Sequence, residues 1–311
     1  MVIEGSFFML SIDVELLWGL RSELESNIRQ IYPYISFIPK SQHLLAYLLT
    51  LLNKYQIPAT WAVVGGSITN PCQDSDQYLT RYFDSLEFFN PCLHKEFLPL
   101  WQTFDIVDKV LESPLSHEIA AHSYTHPDFW KISMDTAEIE IRASKRIFKE
   151  TLGVDVNTFI FPKNHINYLG ILRKYSFKSY RGKNKGSISF KKLTNILYFV
   201  NPSKLSVSPR LNNGLWEIPG SLLFQSTRKY DLYRIYITAF RNIKHVIEHG
   251  GIFHLMIHDY SLVPEEVKML FTKLIRMLGK LNDKEKLVAI TMKELVKVLE
   301  KGNNYVADKN I

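Results

Sequence analysis

Residues 6–15 read SFFMLSIDVE, and the character of this stretch decides the fold class. Ser6 to Ile12 is a continuous apolar run, the pattern of a strand buried on both faces. Strands of that kind belong to parallel sheets covered by helices. The run ends in Asp13-Val14-Glu15. Side chains alternate along a strand, so Asp13 and Glu15 project together from its carboxyl end. Two carboxylates placed in this way can divide the work, one ligating a metal and the other serving as a general base.

A second strand ends in a similar manner. Residues 117–128 read HEIAAHSYTHPD, where the short run Glu118–Ala121 leads into His122, and His126 follows four residues later. Neutral imidazoles are common ligands of divalent transition metals. Pro127 discourages a helix from continuing through the pair. Taken alone, the two histidines are as readily a hydrogen-bonded loop pair as a metal site. The separate Asp-x-Glu, together with His258 at the end of an apolar run, favours the metal.

Strand-like runs alternate with helical patterns along the rest of the chain. Helices are expected at Ser41–Lys54, Asp135–Thr151 (ended by Gly153), near Asn167–Tyr175, and at Leu232–Glu248, Pro264–Leu281 and Met292–Glu300. Strands are expected at Ile57–Val64, 117–121, Thr158–Phe161, near Lys178–Tyr180, Ile252–Ile257 and Leu287–Ile290. Residues 182–215 read as loop with one apolar stretch, Ile196–Val200. Such alternation implies parallel strands with right-handed crossovers. About seven strands suit a distorted (β/α) barrel, in which chemistry sits at the carboxyl ends of the strands. Asp13, Glu15, His122, His126, Lys163, Asn164 and His258 all fall there. A single domain over residues 1–311 is expected, with an aromatic-rich insertion at 67–115.

The chain has 311 residues, 46% hydrophobic and 22% charged, which is ordinary for one globular core. No apolar run approaches the ~20 residues of a spanning helix, and no cleavable leader is visible at the amino terminus. Cys72 and Cys92 are the only cysteines, and two isolated thiols in so long a chain read as reduced. These features together predict a cytoplasmic protein. The formal charge is +7 and the pI about 9.1. Scattered lysines and arginines read first as solvated surface, and second as an attraction for phosphate on a substrate or membrane. No nucleic-acid-binding motif accompanies the charge, so nucleic acid is not an expected partner.

With Asp-x-Glu, His-Ser-x-Thr-His and the strand ending in His258 in this order, the sequence resembles the polysaccharide deacetylases, carbohydrate esterases with a NodB-type domain. The resemblance spans roughly Phe7 to Met292, and HSYTH and FHLMIH are its most specific parts. The IDVELLWG start and the TWAVVG strand are similar to a subgroup associated with surface-polysaccharide or sugar biosynthesis. The resemblance implies that Asp13 is the catalytic base and His258 the general acid. It implies that Glu15, where many relatives have aspartate, ligates one divalent metal with His122 and His126. Zinc is expected, and cobalt, nickel and iron suit the same ligands. Thr125 and Ser123 would support the loop, the backbone N–H of Lys163 would face the oxyanion, and Glu217 would orient the histidine. Relatives often carry an arginine behind the base at the position of Ile160, and Lys163 or Arg181 are the substitutes on offer. Trp18, Asn164 and Arg181 are assigned to substrate binding, and Trp18 and Trp101 are candidates for stacking on a sugar ring. His254 reads as a hydrogen-bonded core residue.

The implied activity is metal-dependent removal of an N-acetyl or other N-acyl group from an amino sugar or sugar-containing biosynthetic precursor, and the cytoplasmic expectation favours a nucleotide-linked, lipid-linked or small precursor sugar over a mature wall polymer. A glycan-binding domain without activity and a hydrolase of non-sugar amides are the alternatives. A weaker rival lies in His245-Val246-Ile247-Glu248-His249, which fits the H-x-x-E-H pattern of a metalloprotease. Gly250-Gly251 ends that helix at once and no helix with a third ligand follows, so the pair is read as structural.

Overall fold

The computed structural model describes residues 5–21, 38–70, 72, 77–86, 90–183, 206–225 and 229–307. Parallel strands form the frame. β1 (Ser6–Val14) is flanked by β2 (Thr60–Val63) and, on its other side, by a strand formed at Gly251–His258. β3 (Glu118–Ala121), β4 (Thr158–Phe159) and β5 (Ser179–Lys183) continue the sheet beyond β2. After the short antiparallel β6 (Arg210–Asn212), β7 (Leu215–Gly220) pairs with β5. The chain runs straight on into β8 (Leu222–Leu223), which pairs with β9 (Gly251–His258). Ser221 N–H donates to His254 C=O across this junction. Residues 215–223 thus touch β5 with one half and β9 with the other, and the sheet curls into a ring. β10 (Val288–Ala289) pairs with the first half of β1, beside Phe7 and Phe8.

This is the expected barrel of parallel strands. Residues 215–223 were not among the expected strands, and Pro219 cannot donate to a ladder. The structure places that proline where only its carbonyl is used, by His254 Nδ1 at 3.1 Å. The apolar stretch 196–200 lies outside the described residues.

Helices cover the outside. They are α1 (Ile38–Lys54), α2 (Gln77–Asp84), α3 (Leu98–Trp101), α4 (Phe104–Leu111), α5 (Met134–Leu152), α6 (Leu169–Lys174), α7 (Lys229–His249), α8 (Glu265–Asn282) and α9 (Met292–Ala307). α5 begins where the Ser133 hydroxyl accepts from Thr136 N–H, and it ends at Gly153 with φ 67°. On β1 the alternation divides two cores. Phe8, Leu10, Ile12 and Val14 face the helices. Met9 instead meets Ala62, Ile160, Trp216, Ile218 and Ile252, so this cluster is the inside of the ring. Met292, Leu295, Val296 and Leu299 of α9 join it, which closes the amino-terminal mouth. Met292 N–H donates to Thr60 Oγ1 and Lys293 N–H to the buried Glu118 carboxylate, tying α9 there.

Three expectations are corrected here. Trp18 is fully buried, stacked on Tyr82 at 5.6 Å and edge-on to Trp101 at 4.9 Å. Its indole N–H donates to Trp101 C=O. Neither ring can meet a sugar, because the aromatics of 67–115 close over them as core. Cys72 and Cys92 form a disulfide with Cα atoms 5.2 Å apart. Proximity in space, invisible in a spacing of 20 residues, pairs them. The disulfide removes the two thiols as a ground for a reducing compartment.

Candidate active site

The carboxyl ends of the strands bring the polar residues together. β1 and β9 run in register, with Asp13 beside His258. On the inner face of β1, Ser11 and Asp13 continue the row begun by Met9. Asp13 is buried and gripped by Arg181 from β5, whose Nη1 and Nη2 each lie 2.6 Å from one carboxylate oxygen. Arg181 also donates to Ser11 Oγ at 3.2 Å and, through Nε, to Asn164 Oδ1 at 3.1 Å. Burial opposes the charge on Asp13, but the guanidinium, His122 and His258 outweigh it and hold the carboxyl below its usual range. His254 lies beneath, fully buried, bonding Ser11 Oγ at 3.0 Å and the Pro219 carbonyl. Burial and the Arg181 charge push its imidazole down to about 3, so it is a neutral strut, as expected of a core histidine.

Glu15 stands next to this pair. Its Oε1 lies 3.1 Å from His122 Nε2 and 3.2 Å from His126 Nε2. His122 Nδ1 is 2.7 Å from the Ile160 carbonyl, which can only accept, so Nδ1 carries the hydrogen. Two imidazole nitrogens and a carboxylate oxygen converge on one point, an arrangement that needs a proton or a metal ion between them. His126 Nδ1 is buried with no hydrogen-bond partner, so Nε2 carries this ring's one visible interaction. The three ligand atoms lie within 4.8 Å of one another. Two imidazole nitrogens and one carboxylate oxygen are the donor set of an open zinc-type site, and these residues fit such a metal. Burial opposes the Glu15 charge, but His126, His258 and His122 hold its carboxyl well below the usual range.

The loop carrying the histidines is held from outside the ring. The Glu140 carboxylate of α5 accepts from Tyr124 N–H and Thr125 N–H at 2.8 Å each, from the Thr125 hydroxyl, and from Tyr78 OH at 2.8 Å. Arg21 donates to Thr125 C=O at 2.9 Å, and Ser123 Oγ accepts from His126 N–H at 3.0 Å. Ser123 (φ 62°) and His126 (φ 57°) are left-handed non-glycine residues, a strain that such a network sustains. Lys163 (φ 55°) and Asn164 (φ 53°) make a similar turn after β4. The Asp259 carboxylate binds the end of β1 to the end of β9, accepting from Leu16 N–H at 2.7 Å, Glu15 N–H at 3.3 Å and Tyr260 N–H at 2.9 Å. Burial and the Glu15 charge push it up to about 7.

His258 completes the group. Its Nε2 lies 3.8 Å from Asp13 Oδ2 and 3.9 Å from Glu15 Oε1. Its Nδ1 meets Gln225 Oε1 at 3.0 Å, and its ring stacks on Tyr260 at 5.0 Å.

Residues 34–176 match the family model described as polysaccharide deacetylase. This stretch, a little under half of the chain, is similar to that family. Solved structures agree in fold. A protein assigned as a polysaccharide deacetylase from Mycobacterium smegmatis superposes with a TM-score of 0.64 at 13% identity, covering 97% of this chain and 93% of its own. A second such protein, from Pseudomonas aeruginosa PAO1, gives 0.59 at 11% identity over 94% and 90%. The Puue allantoinase gives 0.58 at 11% identity over 94% and 90%. None of the curated proteins compared matches this sequence.

Asp13, Glu15, His122, His126 and His258 come together at one strand-end cluster. Three expected roles move. Arg181 is buried against Asp13, so it stands behind the base and not against a substrate. Asn164 also spends its carbonyl oxygen on Arg181. Glu217 points away from the ring, opposite to Trp216 and Ile218, beside Tyr180 and Gly182. It cannot orient His258, and Gln225 occupies that place. The H-x-x-E-H pair is structural, since His245 stacks on His249 at 4.3 Å and Glu248 pairs with Lys244. Among the described residues, the groups of three metal-ligating side chains all lie at the strand-end cluster. Glu140, Asp259, Gln225 and Tyr260 were missed in the sequence. Only Glu140 left a signal, a charge on the buried stripe of α5 beside Ala137, Ile141 and Ser144.

Proposed function

We propose that this chain is a metal-dependent hydrolase that removes an N-acetyl, or other N-acyl, group from an amino sugar carried on a nucleotide- or lipid-linked precursor. The observation that carries the reading is the convergence of Glu15, His122 and His126 beside an arginine-held Asp13, with His258 opposite. Glu15, His122 and His126 would hold the metal, with zinc the expected ion and cobalt, nickel and iron suited to the same donors. Bound there, it would polarise the amide carbonyl and acidify a water molecule. Asp13, kept anionic by Arg181, takes the proton of the attacking water. The backbone N–H of Lys163 stabilises the developing oxyanion. His258 delivers a proton from Nε2 to the leaving nitrogen, with Gln225 holding its ring. The products are a carboxylate and a free amine.

A domain that only binds glycan would need neither the Asp13–Arg181 pair nor His258, and their conjunction favours catalysis. The domain is proposed as one unit over 1–311, with 67–115 as an insertion on the ring. The test is metal content together with acetate or formate release from N-acylated sugars. Wild type and Asp13→Asn should both retain metal. The variant should lose release by roughly 10²–10⁴-fold, the range for one acid–base group. A metal-free, inactive wild type that still binds glycan would sink the reading.

A further inference from the structure

The carboxyl-terminal end of β5 offers a positive charge that the reaction above does not use. Lys183 lies two residues beyond Arg181 on the same strand, and so on the same face, at the lip above Asp13. Its ammonium sits 4.1 Å from the centre of the Trp130 ring. Trp130 is 57% exposed, yet it is held firmly. Its indole N–H donates to Ile166 C=O, and its backbone N–H donates to Asp128 Oδ1 at 3.0 Å. The His165 imidazole stacks flat on it, 3.8 Å away with planes 4° apart, and is itself fixed to Asp128 at 2.6 Å.

An imidazole at that distance fills one face of the indole, so Lys183 lies over the other. With both faces covered, Trp130 serves as a seat for a cation and not as a stacking platform for sugar. Burial pushes the Lys183 ammonium below its ordinary range. Among the described residues no carboxylate pairs with it. Lys183 is exposed and its ammonium is held over Trp130, so an anionic group of a ligand can reach it at the lip of the site. Lys163 adds a second positive charge on this side, near enough to act on Asp128 and His126.

We infer that Lys183, seated on Trp130 and seconded by Lys163, forms an anion subsite for the phosphate of a phosphate- or diphosphate-linked acylated sugar. This rests on the reading of the centre as an N-acyl sugar hydrolase and names the class of substrate it takes. An ammonium is a point charge that suits a phosphate, and the net charge of +7 would steer such a substrate inward.

Calorimetric titration of the full chain tests this without relying on turnover. The probes are N-acetylglucosamine, its 1-phosphate, its UDP ester and a short prenyl diphosphate ester. Wild type should bind the 1-phosphate about tenfold tighter than the neutral sugar, the effect of one charge-assisted contact. Lys183→Gln should erase that advantage, while Lys183→Arg should keep most of it. A larger gain for the UDP ester identifies a nucleotide carrier, and a larger gain for the prenyl ester a lipid carrier. Equal affinity for charged and neutral sugars in wild type overturns the subsite, as does an advantage that survives in Lys183→Gln. If phosphate selectivity holds while no probe releases acetate, the hydrolase reading fails and the subsite stands.

Discussion

Asp13 and Arg181 set the terms at the scale of single residues. Each is a charge taken out of water, and each is tolerable only because the other faces it with two short hydrogen bonds. Arg181→Met should therefore cost about 3–5 kcal/mol of stability in urea unfolding, the range for breaking a buried pair from one side. Adding Asp13→Asn to Arg181→Met should recover part of that loss, since the stranded carboxylate is then gone. A double variant no more stable than Arg181→Met would contradict the pairing. Asp13 itself was legible because the apolar run of β1 leads straight into it. Arg181 was named beside Lys163 as a stand-in for the arginine behind the base, and only the structure chose between them, across 168 residues. No local pattern distinguishes an arginine that turns inward from one that stays in solvent.

At the scale of elements, the metal-ligand loop and α5 act as one unit. Residues 122–126 take two left-handed conformations without glycine, and Glu140 collects four donors to hold them. Glu140→Gln replaces one acceptor oxygen with an amide that cannot accept. The expected outcome is a roughly 10–100-fold loss of metal affinity, the usual effect of disturbing a ligand's support. Competition with a chelator measures it, and circular dichroism should show the helices intact. Unchanged affinity would mean the loop holds its own shape. The HSYTH motif was readable from its residue types, but its support was not. Glu217 shows the reverse error. Its place in WEIP matched a motif, yet strand alternation turns it outward, because Trp216 and Ile218 claim the inside of the ring. Which face a strand buries depends on its neighbours, and that information is not local.

At the scale of the whole molecule, the ring is closed at its amino-terminal end by α9 and at its edge by residues 215–223. His117 stands at the entry to β3. Its Nδ1 accepts from Ala59 N–H at 3.1 Å, and its Nε2 meets Asn53 Oδ1 at 3.0 Å. A proton on Nδ1 would displace the backbone bond. Burial lowers this imidazole to about 4, from an ordinary value of 6.5. The unfolded chain therefore binds the proton first, and stability present above pH 6.5 is lost as pH falls from there toward 4. Relative to His117→Gln, wild type should lose about 3 kcal/mol across that window. Parallel pH profiles in urea unfolding would refute the assignment.

By itself, the sequence determined the alternation of strands and helices, the parallel barrel, and the residue types at the strand ends. Those properties are written in periodicities of a few residues, where burial on two faces and the end of an apolar run leave a direct mark. Only the tertiary structure decided which partners those residues meet. It set Arg181 behind Asp13, Gln225 behind His258 and Glu140 beneath the loop. It joined Cys72 to Cys92 and buried Trp18. Each of these pairings depends on the curl of the sheet, which brings β5 opposite β1 and residue 225 beside residue 258. That curl is a sum of contacts between distant segments, and no single segment carries it.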